Sequence, residues 1–188
     1  MPPQLKVVFQ LKITLQGIRP PIWRRILTPA SFRLSELHQV IQAAMGWHNG
    51  HLHAFNIHGC EYGDPSLDPL GDLDLEDERK ARLSSLDLGP GSWFAYQYDF
   101  GDDWQHRVLV EKVLPADPAV AYPVCVTGKR ACPPEDCGGA WRYPELLEAL
   151  RDPENPEHEE MVEWMDASFD PEAFDLEWIN ASLRTIWA

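Results

Sequence analysis

Between Phe94 and Glu111 the chain alternates apolar and polar residues twice, with Gly101-Asp102-Asp103 separating the two runs. Phe94, Tyr96, Tyr98 and Phe100 fall on every second position, so one side of an extended segment is aromatic. Trp104-Gln105-His106-Arg107-Val108-Leu109-Val110-Glu111 resumes the pattern. Two such strands joined by turn residues fold back as an antiparallel hairpin, because a parallel pair needs a crossover of about a dozen residues. The hairpin gathers Asp99, Asp102, Asp103 and His106 at its tip. Its aromatic face needs a core to cover it. A chain that is 44% hydrophobic with eight Trp has the material for one.

The rest of the chain supplies that cover. Val7, Phe9, Leu11, Ile13 and Leu15 alternate with Gln10, Lys12 and Thr14 as a half-buried strand. Gly17–Pro21 is a turn, and Ile22–Leu27 a second strand ended by Pro29. Ser35 is placed to cap a helix over Glu36–Met45, with Leu37, Val40, Ile41, Ala44 and Met45 on one face and Gly46 at its end. Leu52–His58 reads as a strand that puts His51, His53, Phe55 and Ile57 on one side. Residues 59–90 read as a long acidic loop carrying Asp72, Asp74, Glu76, Asp77 and Glu78, anchored by Leu83, Leu86 and Leu88. Tyr122–Gly139 reads as an ordered turn and not a regular element. Helices are expected from Pro144, from Asn155-Pro156-Glu157 and from Asp170-Pro171-Glu172, the last packing through Phe174, Leu176, Ile179, Leu183, Ile186 and Trp187. The expected class is α+β: one domain over residues 1–188, an antiparallel sheet of about five strands, and helices packed on it, with the C-terminal helices of 143–188 covering the sheet or its edge.

Charge narrows the function classes. The net charge of −14 divides into about +5 over residues 1–60, where Glu36 is the one acid, and about −19 over the remainder. An acidic total argues against nucleic-acid binding by the whole surface. It leaves room for a local basic face from Lys12, Arg19, Arg24, Arg25 and Arg33, unless these pair with the acidic half. No apolar run reaches the roughly 18 residues of a membrane span, and the N-terminus lacks a signal-peptide pattern. A cytoplasmic location with four reduced cysteines follows as the expectation.

Several residue sets could carry chemistry. His51, His53, Asp99, Asp102, Asp103 and His106 form a pool of ligands for a divalent cation, Zn²⁺, Mg²⁺ or Mn²⁺, and so for metal-assisted hydrolysis. In the plainer alternative, Asp102 and Asp103 make the turn, Asp99 accepts backbone N–H groups, and His106 fills a strand position beside Trp104. Cys125, Cys132 and Cys137 could act as zinc thiolates with a fourth ligand, although they lack the C-x2-C pairing of a zinc ribbon. The alternative is small buried residues in a tight turn. A Cys132 or Cys137 nucleophile activated by His106 is also conceivable. Asp99-Phe100-Gly101 lacks every other kinase element. His158-Glu159-Glu160-Met161 has the wrong spacing for a zincin.

Two dense motifs, Tyr96-x-Tyr98-Asp99-Phe100-Gly101-Asp102-x-Trp104-x-His106 and Cys132-Pro133-Pro134-Glu135-Asp136-x-Gly138-Gly139, resemble the plasmid pRiA4b ORF-3-like family, which also appears as the passenger (TnpR-like) protein of an insertion element. The resemblance extends to Pro20-Pro21-Ile22-Trp23-Arg24-Arg25, Leu37-His38-x-Val40-Ile41-Gln42, His51-Leu52-His53-x-Phe55 and Phe169-Asp170-Pro171-Glu172-x-Phe174-Asp175. It implies a compact α+β domain. The resolvase-like name finds no support in a Ser or Tyr nucleophile set among arginines. Position 137 is often apolar in the family, which counts against a zinc site needing Cys137. Three functions are carried forward. The first is a non-catalytic binding module for a protein segment or small molecule, with a pocket formed by His51, His53, Asp99, Asp102, Asp103, Trp104, His106, Glu135 and Asp136. The others are a metal-dependent hydrolase and an acidic mimic of nucleic acid.

Overall fold

The computed structural model describes residues 7–67, 74–165 and 169–186. Asp72 and Trp187 lie outside the described residues. Eight strands form one sheet: β1 (Val7–Leu15), β2 (Ile22–Pro29), β3 (His53–Ile57), β4 (Cys60–Gly63), β5 (Glu76–Asp77), β6 (Trp93–Tyr98), β7 (Trp104–Pro115) and β8 (Val124–Lys129). Their order is β5-β4-β3-β6-β7-β1-β2-β8, antiparallel throughout except for the parallel β4/β5 pair. The class is therefore α+β, but with eight strands and not five. The five expected strands are those with long alternation. The other three are short or contain residues poor in strand propensity: Gly and Cys in β4 and β8, and two acids in β5.

The acidic loop and the Tyr122–Gly139 turn are accordingly corrected. The first contains β4, β5 and a 3₁₀ turn at Leu83–Ser85, and the second contains the edge strand β8. Within β8, a Cβ on Gly128 would stand 2.6 Å from the Phe174 ring and 2.7 Å from the Trp23 carbonyl. The glycine that looked like a turn signal is there to let two elements close together.

Four helices lie among the described residues: α1 (Leu34–Met45), α2 (Gly139–Arg151), α3 (His158–Met165) and α4 (Leu176–Ile186). α1 starts one residue before Ser35, because Glu36 at its third position reaches back to accept the Arg33 N–H at 2.8 Å. Gly46 ends it in the left-handed conformation. α2 starts before Pro144, which lies inside it, and α4 starts after Asp175, whose carboxylate accepts the Trp178 N–H at 2.8 Å.

One sheet face carries the core. Phe9, Leu11, Ile13, Leu15, Ile22, Ile26, Phe94, Tyr96, Val108 and Val110 are buried against Leu37, Val40 and Ile41 of α1, Tyr143 and Leu146 of α2, and Ile179 and Leu183 of α4. The residues between them in β1, β2 and β7, such as Lys12, Trp23 and Arg107, are half-buried or exposed on the other face. Arg24 points into the core side, where its guanidinium bonds the Ala44, Trp23 and Lys129 carbonyls. Carbonyls and the Cys132 sulfur, and not carboxylates of the acidic half, are thus its hydrogen-bond partners. Arg25 does pair with an acid, Glu111, at 2.5 and 2.8 Å.

Candidate functional site

Three segments distant in sequence meet at one end of the sheet: the β6–β7 turn, the stretch 47–52 after α1, and the proline turn 133–139. Gly139 has φ +82, and a Cβ there would lie 2.3 Å from the Asp102 carbonyl oxygen, so the proline turn presses directly on the hairpin tip. Gly138 N–H donates to the Asp102 carboxylate at 3.0 Å. Trp47 Nε1–H donates to the Pro133 carbonyl at 2.9 Å. Glu135 joins all three segments, accepting the His48 N–H at 3.2 Å and the Tyr98 hydroxyl, which in turn accepts the Gly50 N–H at 3.0 Å. Burial and the nearby Glu135 carboxylate both push the Tyr98 phenol up, so it stays a donor.

The rim of this junction is His51, Asp99 and Asp136. Asp99 sits at φ 56, and its Oδ1 accepts the Gly101 and Asp102 N–H groups at 2.9 and 3.3 Å. Its Oδ2 is 3.6 Å from His51 Nδ1, while His51 Nε2 is 3.1 Å from Asp136 Oδ1. Ligand atoms of the three residues lie within 4.8 Å of one another, and no other trio of His, Cys, Asp or Glu among the described residues does so. His51 is half-exposed, Asp99 is nearly buried and Asp136 is open to solvent.

Behind the rim lies a polar layer whose His38, Gln42, His53 and Glu78 are buried and whose Asn49 reaches solvent. The His38 and His53 rings stack at 3.5 Å with 6° between their planes. His53 Nε2 is 2.7 Å from the Glu78 carboxylate. Gln42 donates to Tyr96 Oη at 3.0 Å, Tyr96 Oη–H to His38 Nδ1 at 2.8 Å, His38 Nε2–H to Asn49 Oδ1 at 2.6 Å, and Asn49 N–H back to Gln42 Oε1 at 2.9 Å. This closed circuit needs neutral His38, one nitrogen accepting and one donating. Burial, with neighbouring His53 second, holds its pKa down at about 3. A cleft of about 570 Å³ opens over this layer, lined among others by Ser35, Asn49, His51, His53, Asp64 and Glu78.

The ligand pool is thereby divided. His51 and Asp99 meet, and Asp136 joins them. His53 turns to Glu78. His106 is 1% exposed, with Nδ1 at 3.0 and 3.2 Å from the Trp104 and Tyr96 carbonyls, and burial drives its pKa down to about 4. It is a core residue and not a ligand beside Asp99. Trp104 is fully buried, so it lines no pocket. Asp102 serves Gly138, and Asp103 accepts the side chains of Gln97 and Gln105 at 2.7 and 2.6 Å. The three cysteines form no thiolate site. Cys132 Sγ packs at 3.2 Å from Met45 Sδ and 3.3 Å from Arg24, and Cys125 Sγ faces the Thr127 carbonyl. Burial raises all three thiols, Cys125 to about 11 and Cys137 to about 12, which opposes nucleophilic use.

The residues that sequence reasoning left out of the site are His38, Gln42, Asn49, Glu78 and Tyr98. His38 and Gln42 stand four apart on α1 beside its apolar stripe, a polar pair at core positions and hence a legible signal. Glu78 carries no such signal among five neighbouring acids.

The model of the plasmid pRiA4b ORF-3-like protein family matches residues 7–178. The chain belongs to that family. It is 38% identical over 182 residues to the uncharacterized protein y4hQ of Sinorhizobium fredii, covering 96% of this chain and 93% of that one. A solved crystal structure of a protein of unknown function, MM3350 from Methanosarcina mazei Go1, is 42% identical and superposes with a TM-score of 0.80 over 92% of this chain and 97% of that one. No helix among the described residues is long and apolar enough to cross a membrane.

Proposed function

We propose that this family member is a binding module without catalysis of its own, taking a small molecule or protein segment in the cleft between the His51–Asp99–Asp136 rim and the His38–His53–Glu78 layer. The observation that carries this reading is the mutual locking of three distant segments around His51. A preorganised concave site of this kind suits recognition. The buried thiols and sealed His106 offer no activated nucleophile or base. The cleft's lining sets Asp64 and Glu78 against Arg79, and Asp99 and Asp136 stand beside it against His51, so the favoured ligand carries an amine or guanidinium group. Thermal-shift titration with simple amines and short Lys/Arg peptides tests this. A ligand at 100 times its Kd adds about 2.7 kcal/mol to stability, and Asp136→Asn and His51→Ala should abolish the gain. Equal shifts in wild type and both variants would reject the cleft.

A second reading rests on the same rim: one imidazole and two carboxylates form a donor set for Zn²⁺ or Mn²⁺. Calorimetric titration with each ion decides between them. One stoichiometric ion, lost in His51→Ala and kept in His106→Ala, would move the site toward metal-assisted hydrolysis.

A further inference from the structure

The sheet face opposite the core carries a charge that contradicts the rest of the molecule. Cross-strand pairing lays out its rows: Lys129, Trp23, Thr14, Arg107 and Ala95 in one, and Thr127, Arg25, Lys12, Leu109 and Trp93 in the next. Gln10 and Lys112 follow across the bulge of β1 and β7. Over β1, β2, β7 and β8, five cations, Lys12, Arg25, Arg107, Lys112 and Lys129, thus share the face with one carboxylate, Glu111, on a chain of net charge −14, while Asp103 beside Gln97 and Gln105, and Glu61 beyond Asn56, lie at its β6–β3–β4 side. Glu111 is engaged with Arg25 and Gln10, at 2.8 and 2.7 Å. Lys112, Lys129 and Arg107 are exposed.

Aromatic rings are interleaved with these charges. Lys12 Nζ is 4.8 Å and Arg25 Cζ 5.3 Å from the Trp23 ring centroid, and Arg107 Cζ is 5.2 Å from that of Trp93, which is 54% exposed. Trp23 and Trp93 lie three strands and one row apart, about 15 Å at ordinary sheet spacing. That separation matches a sheet on which two or three unpaired bases stack while cations hold the backbone.

We infer that this open face binds single-stranded nucleic acid, with bases stacking on Trp23, Trp93 and the Arg107 guanidinium, and phosphates meeting Lys12, Arg107, Lys112 and Lys129. Charge complementarity selects a polyanion. The flat ring-bearing surface selects unpaired bases over a duplex, whose grooves take a protruding helix or ribbon. This face is separate from the cleft, so Asp136→Asn should leave it unaffected.

Fluorescence anisotropy with labelled single-stranded RNA and DNA of about 12 nucleotides, the matching duplexes, and phosphatidylserine vesicles as competitor provides the test. Four phosphate contacts predict a roughly 50-fold loss of affinity between about 50 and 200 mM salt. Trp93→Ala and Trp23→Ala should each weaken binding at least about fivefold. Arg107→Ala and Lys129→Ala should each shallow the salt slope by about 0.7. Circular dichroism checks that each variant folds, and the exposed pair Arg107→Glu/Lys112→Glu repeats the test without touching a packed ring. No binding at low salt, equal capture of duplex or vesicles, or unchanged affinity in the folded Trp and Glu variants would overturn the inference. So would salt-sensitive self-association lost in Arg107→Glu, which would give the face to a second copy of the chain.

Discussion

His51 and His53 stand two residues apart, yet their surroundings differ in kind. His53 is pressed ring-to-ring on His38, tied to the buried Glu78 carboxylate, and 8% exposed. His51 lies half-open between Asp99 and Asp136, without a ring partner closer than Tyr98 at 5.8 Å. The buried layer owes its order to the circuit of hydrogen bonds through His38 and to the His53–Glu78 pair, since an unpaired polar group there costs on the order of 1–3 kcal/mol. The rim is held by backbone conformation and by the turn it belongs to. One therefore bears on stability and the other is free to exchange partners.

Acid should separate the two most strongly. His38 and His106 have folded pKa values of about 3 and about 4, below the unfolded value near 6.5. The unfolded chain then binds more protons below pH 6.5, so stability is full above that pH and falls on the way down toward pH 4. The two together should remove about 4 kcal/mol between pH 7 and pH 5. Urea melts across this range should show the slope, and His106→Leu should roughly halve it. An unchanged slope in that variant would place the acid sensitivity elsewhere.

Next in size is His53→Ala, which strands Glu78 in the interior and uncovers His38. A loss of about 3 kcal/mol is expected by denaturant unfolding. A loss below about 1 kcal/mol would mean that Glu78 does not depend on His53 for its place in the interior.

Asp99→Ala straddles the two regions. It removes the acceptor for two turn N–H groups and puts alanine at φ 56, so a cost of about 1–2 kcal/mol is expected, with Asp99→Asn closer to wild type. Equal melting of wild type and Asp99→Ala would leave the carboxylate without an architectural role. The smallest effect belongs to the rim. Asp136→Asn, at an exposed left-handed position that asparagine tolerates, should change stability by less than about 0.5 kcal/mol while removing ligand or metal response.

What could be read from residue order follows the same division. Period-two alternation marks β1, β6 and β7 because each has one wet and one dry side. It is silent on β4, β5 and β8, which are two to six residues long and hold Gly, Cys or acids. Alternation also puts His53 and His106 on an inward face, but a face is not a depth. Neither shares a ligand shell with Asp99, because His53 turns to Glu78 and His106 to the Trp104 and Tyr96 carbonyls, and Asp136, from the proline turn, takes the place assigned to them. The partnership of His53 with Glu78 was illegible, because nothing in a run of acids tells which one turns inward. The basic side of the sheet was legible only as a count. Lys12 and Arg25 lie on it and Arg24 does not, a distinction made by strand parity.

The strand order has a consequence for synthesis. β1 lies between β2, its immediate neighbour in the chain, and β7, whose Glu111 bonds Gln10 across 101 residues. As the polypeptide leaves the ribosome, the first hairpin must wait with both edges bare, that of β1 until β7 and that of β2 until β8, by which point more than half of the chain has followed, and contacts of such long range close slowly. A nascent fragment ending before Trp104 should therefore stay protease-sensitive and chaperone-bound, and release should come only once β7 has cleared the exit tunnel.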